Sequence, residues 1–384
     1  MTNLAKCHNI ADLRAAAKRR LPRYVFEYVD RGTEDEIALR NNRDAIDRIK
    51  LIPRLPRDVS RRQTGTTLFG AETGMPLVIA PTGAAGLMWH LGEIELARAA
   101  VAANVPFTMA TGSMTALDVL AREVQGRLWF QLYLWAEKAL SYDLVRRARD
   151  AGYEALVVTV DTPVSPNREY NVRNGFSIPF KPTVRNVTDM LLHPDWLFGT
   201  MFRYLLRTGM PGLENHPTEF NKRATQAAAA PRVALRDDLS LEEIARLREL
   251  WPRKLLVKGI MHPQDASDLV AFGVDGIVVS NHGGRNLDGA LASFDALPAI
   301  ASAVRDRATV IVDSGVRRGA DILKAVALGA HAVQVGRATL YGTAVAGQAG
   351  AARALELLRY ELDTAMANSG CASIAEITAD LLAR

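Results

Sequence analysis

A histidine and an arginine stand three residues apart in the segment SNHGGRNLDG, which directly follows a short apolar run. His282 therefore comes just after a predicted strand, and Arg285 lies in the loop beyond it. Histidine is the usual general base near neutral pH, and arginine offers a two-pronged donor to a carboxylate. Arg168 follows an earlier strand whose end carries Asp161, a residue that could orient the imidazole. These residue types predict removal of a proton from a small anionic acid.

Two glycine-containing turns, DSGVRRG and GRATLYG, follow the last two apolar runs of the chain. Barrels of parallel strands commonly bind phosphate between the loops after strands seven and eight. Gly315 and Gly336 would let the backbone approach a phosphate closely, and Arg317 and Arg337 would add positive charge. A phosphorylated ligand is expected here, and ordinary turn glycines are the alternative. Neither a P-loop nor a G-x-G-x-x-G segment after the first strand is present.

Short, continuous apolar runs that end in polar residues or glycine must position these groups. Such runs are typical of strands that are buried on both faces. Alanine- and leucine-rich stretches with helical spacing, such as Glu93–Ala103 and Ala320–Leu328, separate most of them. This repeat predicts a (β/α)8 TIM barrel of the α/β class, with a doubly wound sheet as the alternative. The eight runs are Leu77–Pro81, Pro106–Ala110, Leu128–Tyr133, Leu156–Asp161, Leu255–Gly259, Gly276–Asn281, Thr309–Ser314 and Ala332–Arg337.

Two segments do not fit the repeat, and we interpret both as additions to one domain that spans residues 1–384. Residues 1–70 form an N-terminal extension with an amphipathic helix after Asn9, a plausible N-cap. Residues 162–253 form a long insertion after strand four, and loops of such length are usually functional. We expect no separate second domain.

Composition narrows the function classes. The net charge of +5 permits anionic partners, but there is neither a basic tail nor a recognisable nucleic-acid motif, so no nucleic acid is expected. Cys7 and Cys371 are the only cysteines; no metal site is predicted, and a reducing compartment is favoured. The N-terminus lacks the apolar core of a signal peptide, which also predicts a cytoplasmic location.

At these motifs the sequence resembles the FMN-dependent 2-hydroxy acid dehydrogenase and oxidase family. SNHGGRNLDG, LVKG, VTVDTP, FQLY and DSGVRRG carry the resemblance. It implies FMN as cofactor and oxidation of an (S)-2-hydroxy acid to a 2-oxo acid. PTGAAGLMW and GRATLYG favour the mandelate-oxidising branch, with benzoylformate as product, over the lactate-oxidising branch. An oxidase that uses O2, another phosphate-binding barrel such as an isomerase, and a non-catalytic FMN-binding barrel are the alternatives.

The resemblance also implies a role for each matching residue. His282 would be the base with Asp161 as its partner, and Arg285 and Arg168 would hold the substrate carboxylate. Tyr133 and Tyr28 would contact the substrate, and Lys258 would stabilise negative charge on the reduced flavin. Pro81, Thr82, Gly83, Gln131, Thr159 and Ser280 would line the isoalloxazine and ribityl chain, whereas Asp313, Ser314, Gly315, Arg317, Gly336 and Arg337 would hold the ribityl chain and the phosphate. Gly112 stands where some members carry a tryptophan, which implies a roomier substrate pocket.

Part of the insertion, residues 177–215, is predicted to bind a membrane surface. Its most apolar stretch is Met190–Leu206, in which Trp196, Leu197, Phe198, Met201, Phe202, Leu205 and Leu206 recur at helical spacing after Pro194. Basic residues among and before them suit a segment that lies in the headgroup region. The resemblance implies the same attachment, peripheral on the inner face of the cell membrane, with a membrane quinone as electron acceptor. A homotetramer is also expected.

Overall fold

The computed structural model describes residues 3–177, 181–217 and 235–383. Within these residues, a closed barrel of eight parallel strands follows a short antiparallel hairpin. The hairpin strands are β1 (Thr66–Leu68) and β2 (Ala71–Thr73), and the barrel strands are β3 (Leu77–Ile79), β4 (Phe107–Ala110), β5 (Leu128–Leu132), β6 (Ala155–Thr159), β7 (Lys254–Ile260), β8 (Gly276–Val279), β9 (Thr309–Val312) and β10 (Ala332–Val335).

The order around the ring is β10-β3-β4-β5-β6-β7-β8-β9. The last strand pairs directly with the first, Gln334 lying opposite Val78, so the sheet is closed and not doubly wound. The predicted TIM barrel is therefore confirmed, and each predicted apolar run overlaps one barrel strand.

Helices pack around the barrel and in the two additional segments. In the described residues they are α1 (Ile10–Arg20), α2 (Arg23–Asp30), α3 (Ile37–Arg48), α4 (Gly92–Ala102), α5 (Leu117–Glu123), α6 (Lys138–Asp150), α7 (Glu169–Asn174), α8 (Val184–Leu191), α9 (Pro194–Trp196), α10 (Arg203–Arg207), α11 (Leu241–Leu250), α12 (Pro263–Ala271), α13 (Ser293–Val304), α14 (Gly319–Ala327) and α15 (Arg337–Ser369). A turn of π-helix, Leu197–Phe202, joins α9 to α10, and α15 is kinked at Ala346 and Gly347.

The interior of the barrel is apolar at one end and polar at the other. Alternate residues of a strand share a face, and the inward residues nearest the strand N-termini form an apolar cluster that includes Leu68 of the hairpin. The inward residues at the C-terminal ends border a cavity; they are Ala80, Ala110, Gln131, Thr159, Lys258, Asp313 and Gln334. The fold thus collects side chains from distant parts of the chain at one end of the barrel.

The N-terminal extension begins as predicted, because the side chain of Asn9 accepts a hydrogen bond from the backbone N–H of Asp12 at the start of α1. The extension then reaches the cavity through α2. Asp288 holds the following turn by accepting hydrogen bonds from the backbone N–H groups of Asp35 and Ala38, each at 3.0 Å. The extension and the loop after β8 are therefore fixed to each other.

The insertion contains α7 to α11, and its residues 178–180 and 218–234 lie outside the described residues. Pro194 occupies the first turn of α9 as predicted. Trp196 was expected among the apolar side chains that face the membrane, but it is buried, and its Nε1 donates to the carbonyl of Leu87 at 2.7 Å. The indole instead fastens the helix to the loop after β3. Among the described helices, none has the length and apolar character needed to cross a membrane.

Arg20 joins the insertion to the barrel. Its buried guanidinium donates to the carbonyls of Met88 at 2.9 Å and Ala344 at 2.8 Å, and to the carbonyl of Asp195 at 3.2 Å and the hydroxyl of Thr200 at 3.1 Å. The same group lies 4.5 Å from the ring centroid of a tryptophan in the loop after β3. Burial lowers the pKa of Arg20 to about 10, still far above neutral pH, so the group remains charged.

We expect Arg20→Leu to lower the free energy of unfolding by about 2–3 kcal/mol, because several buried acceptors lose a charged donor at once. The measurement is urea denaturation followed by circular dichroism. Arg19→Leu is the matched control, since Arg19 is exposed on the same helix, and it should leave stability nearly unchanged. Equal effects of the two substitutions would contradict the joining role of Arg20.

Candidate functional site

A cavity of about 400 Å³ opens at the C-terminal end of the barrel, a size that small-molecule sites commonly have. Nearly all the predicted site residues line it: Tyr28, Pro81, Thr82, Gly83, Gln131, Tyr133, Thr159, Arg168, Lys258, His282, Arg285, Asp313, Ser314, Gly315, Arg317, Gly336 and Arg337. The other two, Asp161 and Ser280, lie behind His282 and contact it. The predicted set is thus brought together in one place, whereas its individual roles remain predictions.

The imidazole of His282 is held between a carboxylate and the cavity. Its Nδ1 lies 2.9 Å from Oδ1 of Asp161, and its backbone N–H donates to Oγ of Ser280 at 3.0 Å. Nε2 lies 3.4 Å from the hydroxyl of Tyr133, which itself borders the cavity. With Nδ1–H donated to an ionised carboxylate, Nε2 is the free base and is directed at the cavity.

The charges of this pair fit a base at neutral pH. Burial lowers the pKa of His282 below its ordinary 6.5, against the opposing effect of the Asp161 carboxylate. Although burial raises the pKa of Asp161, the nearby His282 and Lys258 outweigh it and the pKa stays below its usual 3.8. A neutral imidazole therefore sits beside a carboxylate that will stabilise the imidazolium once a proton arrives.

The loop that carries His282 has an unusual backbone. His282 itself has φ of 59°, in the left-handed region that side chains other than glycine rarely adopt. Asn281 and Asn42 hold the loop through two reciprocal amide hydrogen bonds of 2.8 and 2.9 Å. Asn286 adds a hydrogen bond of 2.7 Å to the carbonyl of Asp161. The strained position is thus fixed by contacts with two other elements, α3 and the loop after β6.

Two of the arginines that line the cavity, Arg168 and Arg285, lie next to each other. Arg285 donates to the carbonyl of Arg31 at 2.9 Å and contacts the face of the Tyr28 ring at 5.5 Å. Arg168 follows, its Nε 3.4 Å from the carbonyl of Arg285. Burial and then the charge of Arg285 lower the pKa of Arg168. The two guanidinium groups repel each other here, so an anion placed between them would be bound.

Lys258 is buried at the end of β7 in a small polar cluster. Its Nζ donates to Oγ of Ser280 at 2.6 Å and forms an ion pair with Oδ2 of Asp313 at 2.8 Å. Oγ of Ser314 donates to the other oxygen of Asp313 at 2.7 Å. The lysine is held rigidly by these contacts and borders the cavity with a positive charge.

Two neighbouring polar atoms have no partner in the described part of the chain. They are Nε2 of Gln131 and Oγ1 of Thr159, at the ends of β5 and β6. Both side chains are buried and line the cavity. Because an unpaired buried polar group is costly, these atoms mark where a polar ligand edge would bind, next to Lys258.

The opposite side of the cavity suits an anion. α15 begins at Arg337, and the start of a helix attracts negative charge. Gly315 has φ of 98°, and a Cβ there would lie only 2.9 Å from the carbonyl oxygen of Asn42, so glycine is required. Arg337 directs its guanidinium to the carbonyls of Val29, Gly283 and Arg31. Its side chain therefore fixes the loops, whereas Arg317 and the start of α15 border the cavity where an anion could bind.

Several cavity residues were not predicted from the sequence. Val29, Leu213 and Leu235 form apolar parts of the wall, and nothing in their local sequence marks them. Gln334 also lines the cavity. It is the one polar residue in the apolar run AVQV, so the sequence pattern could have identified it as a cavity residue. Asp288 and Asn42 support the site from outside, and their roles depend on contacts across the fold.

Comparisons with known proteins agree with this site. The profile of the family described as FMN-dependent dehydrogenase matches residues 17–384. The (S)-mandelate dehydrogenase of Pseudomonas putida is 39% identical over 374 residues, covering 97% of this chain and 93% of the relative. An L-lactate dehydrogenase of Ectopseudomonas mendocina is 39% identical over 375 residues, covering 97% and 98%. The crystal structure of a monotopic membrane protein, (S)-mandelate dehydrogenase, has a TM-score of 0.93 at 39% identity, covering 98% of this chain and 99% of that chain.

We expect Asp161→Asn to lower the pKa of His282 further, because burial remains while the carboxylate that opposes it is lost. NMR titration of labelled histidines measures this, and loss of one resonance in His282→Asn assigns the signal among the seven histidines. Asp35→Asn, at an exposed carboxylate, is the control and should leave the titration unchanged. A pKa that stays the same or rises in Asp161→Asn would contradict the proposed pairing.

Proposed function

The chain belongs to the FMN-dependent dehydrogenase family, and on this premise we propose that it oxidises an (S)-2-hydroxy acid to a 2-oxo acid, with (S)-mandelate as its preferred substrate. The observation that carries the proposal is the His282–Asp161 pair facing one cavity with two adjacent guanidinium groups. A base beside a carboxylate-binding pair is the arrangement that this oxidation needs.

FMN fits the polar groups that the cavity presents. The unpaired atoms of Gln131 and Thr159, with charged Lys258, suit the polar edge of an isoalloxazine ring. Gly315, Arg317 and the start of α15 suit the phosphate. When bound, FMN would supply the acceptor for both electrons and for one of the two protons that the substrate loses. Lys258 would stabilise the negative charge that builds up on the reduced ring.

The arginines and the histidine would divide the remaining work. Arg285 and Arg168 hold the substrate carboxylate between them, which relieves their mutual repulsion and orients the α-carbon. Nε2 of His282 then accepts the proton that leaves the substrate as it becomes a 2-oxo acid. Asp161 stabilises the resulting imidazolium, and the Tyr133 hydroxyl, 3.4 Å from Nε2, contacts the reacting oxygen.

The shape of the cavity favours a large, apolar substituent on the substrate. A Cβ built on Gly112 would have only the Cα of Gly83 within 4 Å, at 4.0 Å, so the space above Gly112 is open. Leu213 and Leu235 border the same cavity with apolar side chains. A phenyl group uses this space and this apolar wall better than a methyl group does. L-lactate is the second candidate substrate, because its dehydrogenases are equally similar to this chain.

We propose that the insertion attaches the protein to a membrane surface through an apolar face. This face consists of Val184, Val187, Leu191, Leu192, Phe198, Phe202, Leu205 and Leu206, all of them exposed. The first four lie on α8 and directly after it, and the other four lie on the π-helical turn and on α10, which follow α9. Arg185 and Arg207 are exposed beside them. Apolar side chains flanked by basic ones suit the headgroup region of a bilayer.

Attachment gives the reduced flavin access to a quinone dissolved in the bilayer, which we propose as the electron acceptor. The contacts of Trp196 with Leu87 and of Tyr204 with Leu91 join the membrane segment to the loop after β3. The same loop begins with Pro81, Thr82 and Gly83 in the cavity. The proposed membrane face and the proposed flavin site are thus linked by a short, well-packed segment. We propose a cytoplasmic, peripheral location and a homotetramer with it.

The purified, FMN-loaded protein should bleach fastest with (S)-mandelate when it is mixed anaerobically with (S)-mandelate, L-lactate or glycolate. Stopped-flow absorbance of the flavin gives the three rates. Faster bleaching with L-lactate would overturn the substrate assignment. Absence of bleaching with all three acids would overturn the proposed function itself.

His282→Asn should keep FMN but reduce the rate of flavin bleaching by roughly 10²–10⁴-fold, because the proton acceptor is gone.

Replacing Phe198, Phe202, Leu205 and Leu206 with glutamine should release the protein from vesicles that contain anionic phospholipid. The expected change is at least tenfold in the bound fraction at low salt, measured by co-sedimentation. The control carries Phe272→Gln and Tyr360→Gln, two exposed apolar residues elsewhere on the surface, and should still bind. Both proteins should retain the anaerobic flavin reduction of the wild type. Wild-type protein that does not sediment with the vesicles would contradict membrane attachment.

A further inference from the structure

A buried glutamine in the last barrel strand faces the cavity and has not yet been given a role. Gln334 lies in β10, on the same face as Ala332, which packs in the apolar interior cluster. Its side chain is only 1% exposed and borders the cavity. The residue is thus at the floor of the proposed flavin site, close in sequence to Gly336 and Arg337.

Neither end of the Gln334 amide has a hydrogen-bond partner in residues 3–177, 181–217 and 235–383: Nε2 and Oε1 are both unpaired. An unsatisfied buried polar group costs about 1–3 kcal/mol, and an apolar side chain of similar size would avoid that cost at this depth. An amide at this position therefore needs a partner that enters through the cavity.

The place of Gln334 on the ring decides which part of the cofactor it can serve. β10 stands between β9 and β3, across the eight-stranded ring from β6, which carries Thr159. The unpaired atoms of Gln131 and Thr159 and the charge of Lys258 already suit the polar edge of the isoalloxazine. The opposite edge of that ring system carries methyl groups and forms no hydrogen bonds. The polar groups left are the ribityl hydroxyls and the phosphate, and the phosphate is provided for at Arg317 and α15.

We propose that the amide of Gln334 binds the ribityl chain of FMN by hydrogen bonds to its hydroxyl groups. A primary amide both donates and accepts, as a hydroxyl does, so one hydroxyl can use Oε1 and a second can use Nε2. The inference rests on FMN as the cofactor and is independent of which 2-hydroxy acid is oxidised.

The test compares three flavins with the apoprotein by fluorescence titration: FMN, riboflavin, which lacks the phosphate, and lumiflavin, which lacks the ribityl chain. Gln334→Met keeps the length of the side chain and removes its polar atoms. We expect it to weaken binding of FMN and of riboflavin by roughly 3–10-fold, the effect of one or two ordinary hydrogen bonds. Binding of lumiflavin should be unchanged. No turnover is needed, so failure here is separate from failure of the proposed function.

Gln131→Met is the matched control, and it should weaken all three flavins because its amide faces the ring. If Gln334→Met also weakens all three equally, the amide serves the ring and the ribityl assignment is wrong. If it changes none, the amide is satisfied without the cofactor and the inference is overturned. Gln334→Asn provides a second variant should the methionine protein fail to fold. Its shortened amide should weaken binding of FMN and riboflavin alone, and an equal loss for all three flavins, or no loss for any, would overturn the proposal in the same way.

Discussion

Two backbone carbonyls at the end of α2 accept hydrogen bonds from two arginines, one in the loop after β8 and one after β10, the two strands that flank β9 on the ring. The carbonyl of Val29 accepts from Arg285 at 3.5 Å and from Arg337 at 2.9 Å, and that of Arg31 accepts from the same two arginines at 2.9 and 3.1 Å. The C-terminal end of a helix carries partial negative charge, so it stabilises the cations. A carbonyl does not neutralise a cation as a carboxylate would, and the cavity therefore keeps a positive potential.

This arrangement explains why the N-terminal extension belongs to the site and does not simply cover it. Without α2, the guanidinium groups would lie next to each other with no fixed acceptor, and their repulsion would move them apart. Burial and the neighbouring charge of Arg285 lower the pKa of Arg337 to about 10, which is still far above neutral pH. The protein thus keeps its cations charged and immobile before any ligand arrives. An anionic substrate and a phosphorylated cofactor then bind to a site that needs little rearrangement.

The insertion uses its two faces in different ways. Trp196 and Tyr204 are buried and form hydrogen bonds with the loop after β3: the indole of Trp196 donates to it, and the hydroxyl of Tyr204 accepts from it. Phe198 and Leu206, 60% and 71% exposed, lie on the outer side of the same helical segment. Arg20 fixes the segment to the barrel by hydrogen bonds, so the outer face is presented on a rigid support. Contacts near the proposed flavin site and the proposed bilayer contact are therefore carried by one short stretch of chain.

The sequence by itself determined the barrel and most of the site. A parallel strand that is buried on both faces is a continuous apolar run. Many of the polar groups in the cavity lie at the C-terminal ends of such strands or just after them, so both features are local and visible in the sequence. The capping of α1 by Asn9 and the start of α9 at Pro194 are local in the same way. Only the tertiary structure decided that Trp196 turns inward, that Asp288 holds the start of α3, that Asn42 pairs with Asn281, and that Gln334 lies unpaired in the cavity. Each of these depends on partners far away in the chain, and a local pattern carries no information about which distant atoms a side chain will meet.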